Sequence, residues 1–255
     1  MLAHDRSGSG EPLILIHGFG SFRGVWKPVL PTLEAERDVI AIDLPGFGDS
    51  PPDVDHPTPA RLAEAVAELA DDLGLDRPHV AGFSMGGWIA LELSKMGVVS
   101  STCALCPAGF WSRWERAFCK NSIRASHANL RLLGDHAARL NESAPVRRAA
   151  YRQFMEHADQ LTPEEATATG VALRDATGYA STLEALHEGH FTGGVDVQQP
   201  VTVAWGDKDK LLLPRQAERA RRAIPQARHL RIPDAGHVPM VDAPETTARA
   251  ILTSA

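Results

Sequence analysis

"VAGFSMGGWIA", residues 80–90, sets one serine among glycines where an apolar run meets an apolar helical pattern. Within it, Gly82-Phe83-Ser84-Met85-Gly86 fits G-x-S-x-G. A hydroxyl is a weak nucleophile and must project from a tight turn to act. Small residues two before and two after it let a strand reverse into a helix without side-chain collision. The helix that follows aims its free N–H groups and positive dipole end at developing negative charge. Alone, the pattern reads equally as a glycine-rich turn, so the rest of the chain decides.

Working outward, short apolar runs bounded by glycine and proline recur at 12–18 (PLILIHG), 37–46 (RDVIAIDLPG), 78–84 (PHVAGFS), 97–107 (GVVSSTCALCP), 200–207 (PVTVAWGD) and 227–234 (ARHLRIPD). Most are near-continuously apolar rather than alternating, which predicts parallel strands buried on both faces. Between them, TPARLAEAVAELADDLGL places Leu62, Val66 and Leu69 on one helical face, with Gly74 as a stop, and PRQAERARRAIP and APETTARAILTSA read as later helices. Strand–helix alternation predicts an α/β fold with a doubly wound, mostly parallel sheet. Such sheets hold ligands beyond the carboxyl ends of their strands. From 107 to 199 no strand pattern is found, only helical stretches such as FWSRWERAFCKNSIRASHANLRLL and RRAAYRQFMEHAD. The expected organisation is a core of 1–106 and 200–255 with an inserted helical lid at 107–199.

The 255 residues, 44% hydrophobic, are enough for a substantial core. Lysine and arginine number 26 against 32 acidic residues, a net charge of -6 without a basic block, so nucleic acid is not an expected partner. No apolar run approaches the roughly 20 residues of a membrane span. The start, MLAHDRSGSGEP, lacks the pattern of a secretory signal. The cysteines, Cys103, Cys106 and Cys119, are odd in number, which fits a reducing compartment and predicts a cytoplasmic protein. Cys103 and Cys106 have C-x-x-C spacing, but no second cysteine pair or close histidine pair completes a zinc set, and both fall in or beside an apolar run. Buried thiols are expected there, and no metal.

A nucleophilic serine needs a base, and the base an orienting acid, both in loops after later strands. Gly206-Asp207-Lys208-Asp209 follows PVTVAW, and Asp234-Ala235-Gly236-His237 follows HLRIP. His229 sits inside a strand pattern and is a poor rival for the base.

Together His17-Gly18-Phe19-Gly20, Asp43-Leu44-Pro45-Gly46-Phe47-Gly48, Gly82 to Gly87, Trp205-Gly206-Asp207-Lys208-Asp209 and Gly236-His237 resemble the α/β-hydrolase superfamily over nearly the whole chain except the insert. The resemblance implies a Ser-Asp-His triad, an oxyanion hole and a lid after the sixth strand. It assigns Ser84 as nucleophile and His237 as general base, then general acid. Asp209 is the orienting acid, with Asp207 as the alternative whose other role is a turn. The backbone N–H groups of Phe19 and Met85 become the oxyanion donors, while His17 and Asp43 resemble bracing residues. The family often begins with an antiparallel strand pair, for which this chain leaves room for one strand. A serine nucleophile disfavours the dehalogenase and epoxide hydrolase chemistries, which use aspartate.

The aromatic residues Phe22, Trp26, Trp88, Trp111, Trp114 and Phe154 are candidates for an apolar substrate pocket, ordinary packing being the other reading of each. The expected activity is hydrolysis of a small to medium carboxylic ester through an acyl-enzyme on Ser84, without cofactor. Alternatives are carbon–carbon bond hydrolysis of a vinylogous diketone, perhydrolysis or acyl transfer, and a non-turnover ligand receptor. The expected partner is a small-molecule substrate, with the protein a monomer or homodimer.

Overall fold

A computed structural model describes residues 1–254. Seven strands form one sheet: β1 (His4–Gly8), β2 (Glu11–Ile16), β3 (Arg37–Ile42), β4 (His79–Phe83), β5 (Ser101–Leu105), β6 (Val201–Gly206) and β7 (Arg228–Ile232). Their order is β1-β3-β2-β4-β5-β6-β7. All neighbouring pairs are parallel except β1 on β3, which is antiparallel with His4 opposite Ile42. The edge strand HDRSG is polar and largely exposed, so no apolar pattern marked it; backbone pairing to β3 makes it a strand.

Alternate side chains leave the sheet on opposite faces. Ile14, Ile16, Ile40, Ile42 and Val80 join one buried cluster, while Leu13, Leu15, Val39, Ala41 and Ala81 join the other. Burial on both faces explains the unbroken apolar runs. The helix Pro59–Asp72 starts at Thr58, whose hydroxyl accepts from Arg61 N, buries Leu62, Val66 and Leu69, and stops just before Gly74 at φ +65.

Between β5 and β6 the described residues form helices Arg113–Leu133, His136–Leu140, Ala144–Ala150, Pro163–Asp175 and Tyr179–Leu186, with no strand. Ser112 with Glu115, and Thr162 with Glu165, close capping boxes that begin two of them. The insert thus follows the fifth strand here, in step with one edge strand fewer than the family pattern. One helical expectation needs correction: RRAAYRQFMEHAD is helical only to Ala150, and Tyr151–His157 is irregular. The cause is tertiary: Phe154 O accepts from His237 N and Val238 N, and Glu156 N and His157 N donate to the Asp242 carboxylate. No described helix is long and apolar enough to cross a membrane.

Candidate active site

Ser84 sits between β4 and the helix Met85–Met96 at φ 58, ψ −120, a conformation that costs an L-residue on the order of 1–3 kcal/mol. Its surroundings hold it there: Ser84 N donates to Leu105 O at 2.9 Å, and Ser84 O accepts from Ala108 N at 2.9 Å and Trp88 N at 3.2 Å. The flanking glycines are needed for space. A Cβ on Gly82 would lie 2.2 Å from Gly86 O, and one on Gly86 2.2 Å from Ile16 O. The Ser84 hydroxyl has no hydrogen-bond partner among the described residues, and it lines a cavity together with His237.

His237 and Asp209 arrive from the loops after β7 and β6. Asp209 is buried; its Oδ1 accepts from Leu211 N at 2.9 Å and Leu212 N at 2.8 Å, leaving Oδ2 to meet His237 Nδ1 at 2.8 Å. Asp207 instead accepts from Asp234 N at 2.9 Å and lies 3.4 Å from Arg231, so it ties two loops together away from the imidazole. The Cys106 thiol lies beside the pair, with ligand atoms of Cys106, Asp209 and His237 all within 4.8 Å of one another. These donors fit a metal poorly. Burial pushes the Cys106 thiol well above its ordinary pKa, so it stays protonated; it accepts from Gly206 N at 3.3 Å, and both Asp209 oxygens are occupied. Cys103, Cys106 and Cys119 are all buried and unpaired.

The Phe19 and Met85 N–H groups are taken by no acceptor among the described residues and so are free to donate. His17 braces their loop. Its Nε2 accepts from Leu44 N at 3.0 Å, so the proton lies on Nδ1, which meets Gly18 O at 2.7 Å. Burial pulls its pKa down to about 4, and the ring stays neutral. Asp43, fully buried, accepts from Arg23 N at 2.6 Å and Asp49 N at 2.9 Å and pairs with the Arg23 guanidinium.

The cavity over Ser84 measures about 410 Å³. Its walls are Phe19, Ser21 and Val25 from the core, Ile123, Leu130 and Leu133 from the helix Arg113–Leu133, and Leu140, Val146, Tyr151, Phe154, Met155 and Leu173 from the rest of the insert. No lysine, arginine, aspartate or glutamate lines it. Of the six aromatic candidates, Phe154 alone does. Phe22 faces a separate groove, and Trp26 is buried with its ring edge-on to Phe83. Trp88 and Trp111 pack edge-to-face at 6.0 Å in the core, with Trp111 stacked on His187. Trp114 is exposed beneath the Arg215 guanidinium. Trp26, Trp88 and Trp111 thus pack within the core, Phe22 and Trp114 lie outside the cavity, and the cavity wall is mainly aliphatic, with Phe19, Phe83, Tyr151 and Phe154 as its aromatic members. The spacing of Ile123, Leu130 and Leu133 along one helical face was the available signal for that lining.

A family model described as the alpha/beta hydrolase family matches residues 13–250. The chain is 30% identical over 251 residues to the dihydrolipoyllysine-residue acetyltransferase component of the acetoin cleaving system of Pseudomonas putida, covering 95% of this chain and 63% of that protein. It thus spans about six-tenths of that relative's length. It is 30% identical over 253 residues to lipase 3 of Moraxella sp. (strain TA144), covering 94% of this chain and 76% of the lipase. Among solved structures, a thermophilic esterase from Thermogutta terrifontis superimposes with a TM-score of 0.77 at 27% identity, covering 99% of this chain and 92% of that one.

Proposed function

The chain belongs to the α/β-hydrolase family, and on that footing we propose that it hydrolyses uncharged carboxylic esters with a mainly aliphatic acyl group, through an acyl-enzyme on Ser84. The carrying observation is the cavity itself: an apolar space without a charged wall ends on a strained serine and on a histidine already oriented by a buried carboxylate. The similarity to a lipase and to an esterase supports ester bonds as the target.

In this reading the Ser84 hydroxyl turns to His237 Nε2, which takes its proton as Oγ attacks the ester carbonyl. The carbonyl oxygen becomes an oxyanion and receives the Phe19 and Met85 N–H groups. As the tetrahedral centre collapses, the carbon–alkoxy bond breaks and His237 returns the proton to the leaving alcohol. Water, deprotonated by the same nitrogen, then releases the acid and restores Ser84. Asp209 holds the imidazole with Nδ1 protonated and stabilises the imidazolium that forms. Residues 107–199 act as the lid and supply most of the acyl wall. A cavity without cationic side chains speaks against an anionic substrate. The buried, unpaired thiols support a reducing, cytoplasmic setting.

The test is hydrolysis of nitrophenyl esters from acetate to decanoate, with Ser84→Ala in parallel. Turnover that peaks at a medium chain and vanishes in Ser84→Ala is expected. Equal rates from both proteins, or none from either, would sink the proposal.

A further inference from the structure

The loop that carries the general base is tied to the cavity wall by backbone hydrogen bonds and by the side chain of Asp242. Asp242, buried in the short helix Pro239–Asp242, accepts from three backbone N–H groups on two separate parts of the chain. Gly236 N, next to His237, donates to its Oδ2 at 2.7 Å; from the insert, Glu156 N donates to the same oxygen at 3.0 Å and His157 N donates to Oδ1 at 2.7 Å. Phe154 O returns the tie by accepting from His237 N at 2.8 Å and Val238 N at 3.1 Å. Surface contacts cover this seam, a hydrogen bond between His157 and Asp234 at 2.9 Å and the Lys210–Glu156 ion pair.

We propose that Asp242 is a positioning residue that makes the cavity wall and the general-base loop one mechanical unit, so that the chain length of the bound acyl group is felt in the chemical step as well as in binding. A buried carboxylate that accepts three N–H bonds is a strong and directional anchor, and no side chain of different hydrogen-bonding capacity reproduces it. Phe154 and Met155 line the acyl cavity, and Phe154 is the residue whose carbonyl holds His237 N. An acyl chain packed against that wall therefore steadies the loop from which the imidazole projects. Asparagine at 242 keeps the shape but turns an NH2 group toward one of the N–H donors, which opens the seam. Misplacing a catalytic group by about 1 Å can cost on the order of 100-fold in rate. The inference rests on Ser84 and His237 acting as nucleophile and base.

The experiment uses methyl and octyl fluorophosphonates, which report Ser84 reactivity whether or not any ester is a substrate. The maximal inactivation rate and the half-saturating concentration are measured per active site for the 255-residue wild type, Asp242→Asn and Glu156→Pro, the last removing one N–H donor on the insert's side. The wild type is expected to show a maximal rate at least about threefold higher with the octyl probe than with the methyl one. Both variants are expected to lose about tenfold of the octyl rate and to flatten the octyl-to-methyl ratio, with the half-saturation ratio kept. Per-site rates within twofold of wild type, fewer active sites at an unchanged rate, or no chain-length effect in the wild type's maximal rate would each overturn the proposal. Should Asp242→Asn fail to fold, Glu156→Pro decides on the same readouts. A wild type that reacts with the probes but hydrolyses no ester overturns the ester reading alone. A wild type inert to both probes overturns both.

Discussion

His237 Nδ1 meets Asp209 Oδ2 at 2.8 Å, and the other oxygen of that carboxylate is held by two backbone N–H groups. The Asp209 carboxylate is therefore held in place independently of the imidazole it meets. Asp209→Asn presents an amide that no longer selects the working tautomer and is expected to lower kcat by about 10³- to 10⁴-fold. Asp207→Asn, which alters a loop tie, is expected to stay within about threefold. Steady-state rates on one nitrophenyl ester, normalised to titrated sites, check both; a larger loss in Asp207→Asn would reverse the assignment.

The aliphatic lining predicts where chain-length preference resides. Val146→Trp places an indole in the insert's part of the cavity and is expected to move the optimum to shorter acyl groups while acetate hydrolysis persists. Trp114→Ala, at an exposed ring outside the cavity, is expected to leave kcat and KM within about twofold. A profile of rate against acyl length for each variant is the measurement. An unmoved optimum in Val146→Trp would place the acyl site elsewhere.

His17 and His187 are both pulled down by burial to a pKa of about 4, against 6.5 for the free side chain. Between pH 6.5 and 4 the unfolded chain takes protons at these positions that the folded protein refuses, so stability falls as pH falls through that window and levels off below it. A shift of this size at the fully buried His17 is worth about 3 kcal/mol. Denaturant midpoints are expected to decline steadily from pH 7 to pH 4.5. His187→Phe keeps a ring on Trp111, removes one titration and should flatten the decline. Midpoints that are level over this range would contradict the neutral state of both rings.

Glu115 anchors the root of the insert's longest helix. Its buried carboxylate accepts from Ser112 N at 2.7 Å and Arg215 Nε at 2.7 Å and pairs with Arg219. Burial alone would raise its pKa, but these partners outweigh that and hold it below the ordinary carboxylate value. Because both arginines are partly solvated, Glu115→Gln is expected to cost about 1–2 kcal/mol. Thermal unfolding is then expected about 4 °C lower. An unchanged midpoint would show that the capping box and helix packing hold the root without the ion pairs.

The apolar runs, the glycines around Ser84 and the order of serine, acid and histidine were legible as residues because each answers a local demand: burial on both faces of a strand, a reversal too tight for a Cβ, a loop after a strand end. Those demands are met within a few residues, so the strands β2 to β7 and the elbow could be read from the chain itself, whereas bracing roles for His17 and Asp43 came only from the family resemblance. The choice between Asp209 and Asp207 depended on how the loops after β6 and β7 face each other, and only the fold placed one carboxylate on the imidazole and the other on Asp234 N. The polar edge strand β1, the unwinding of Tyr151–His157 and the burial of Trp26, Trp88 and Trp111 away from the cavity were likewise decided by partners distant in sequence. Local pattern reports which side chains must leave water, whereas which surface they meet is a property of the assembled layers.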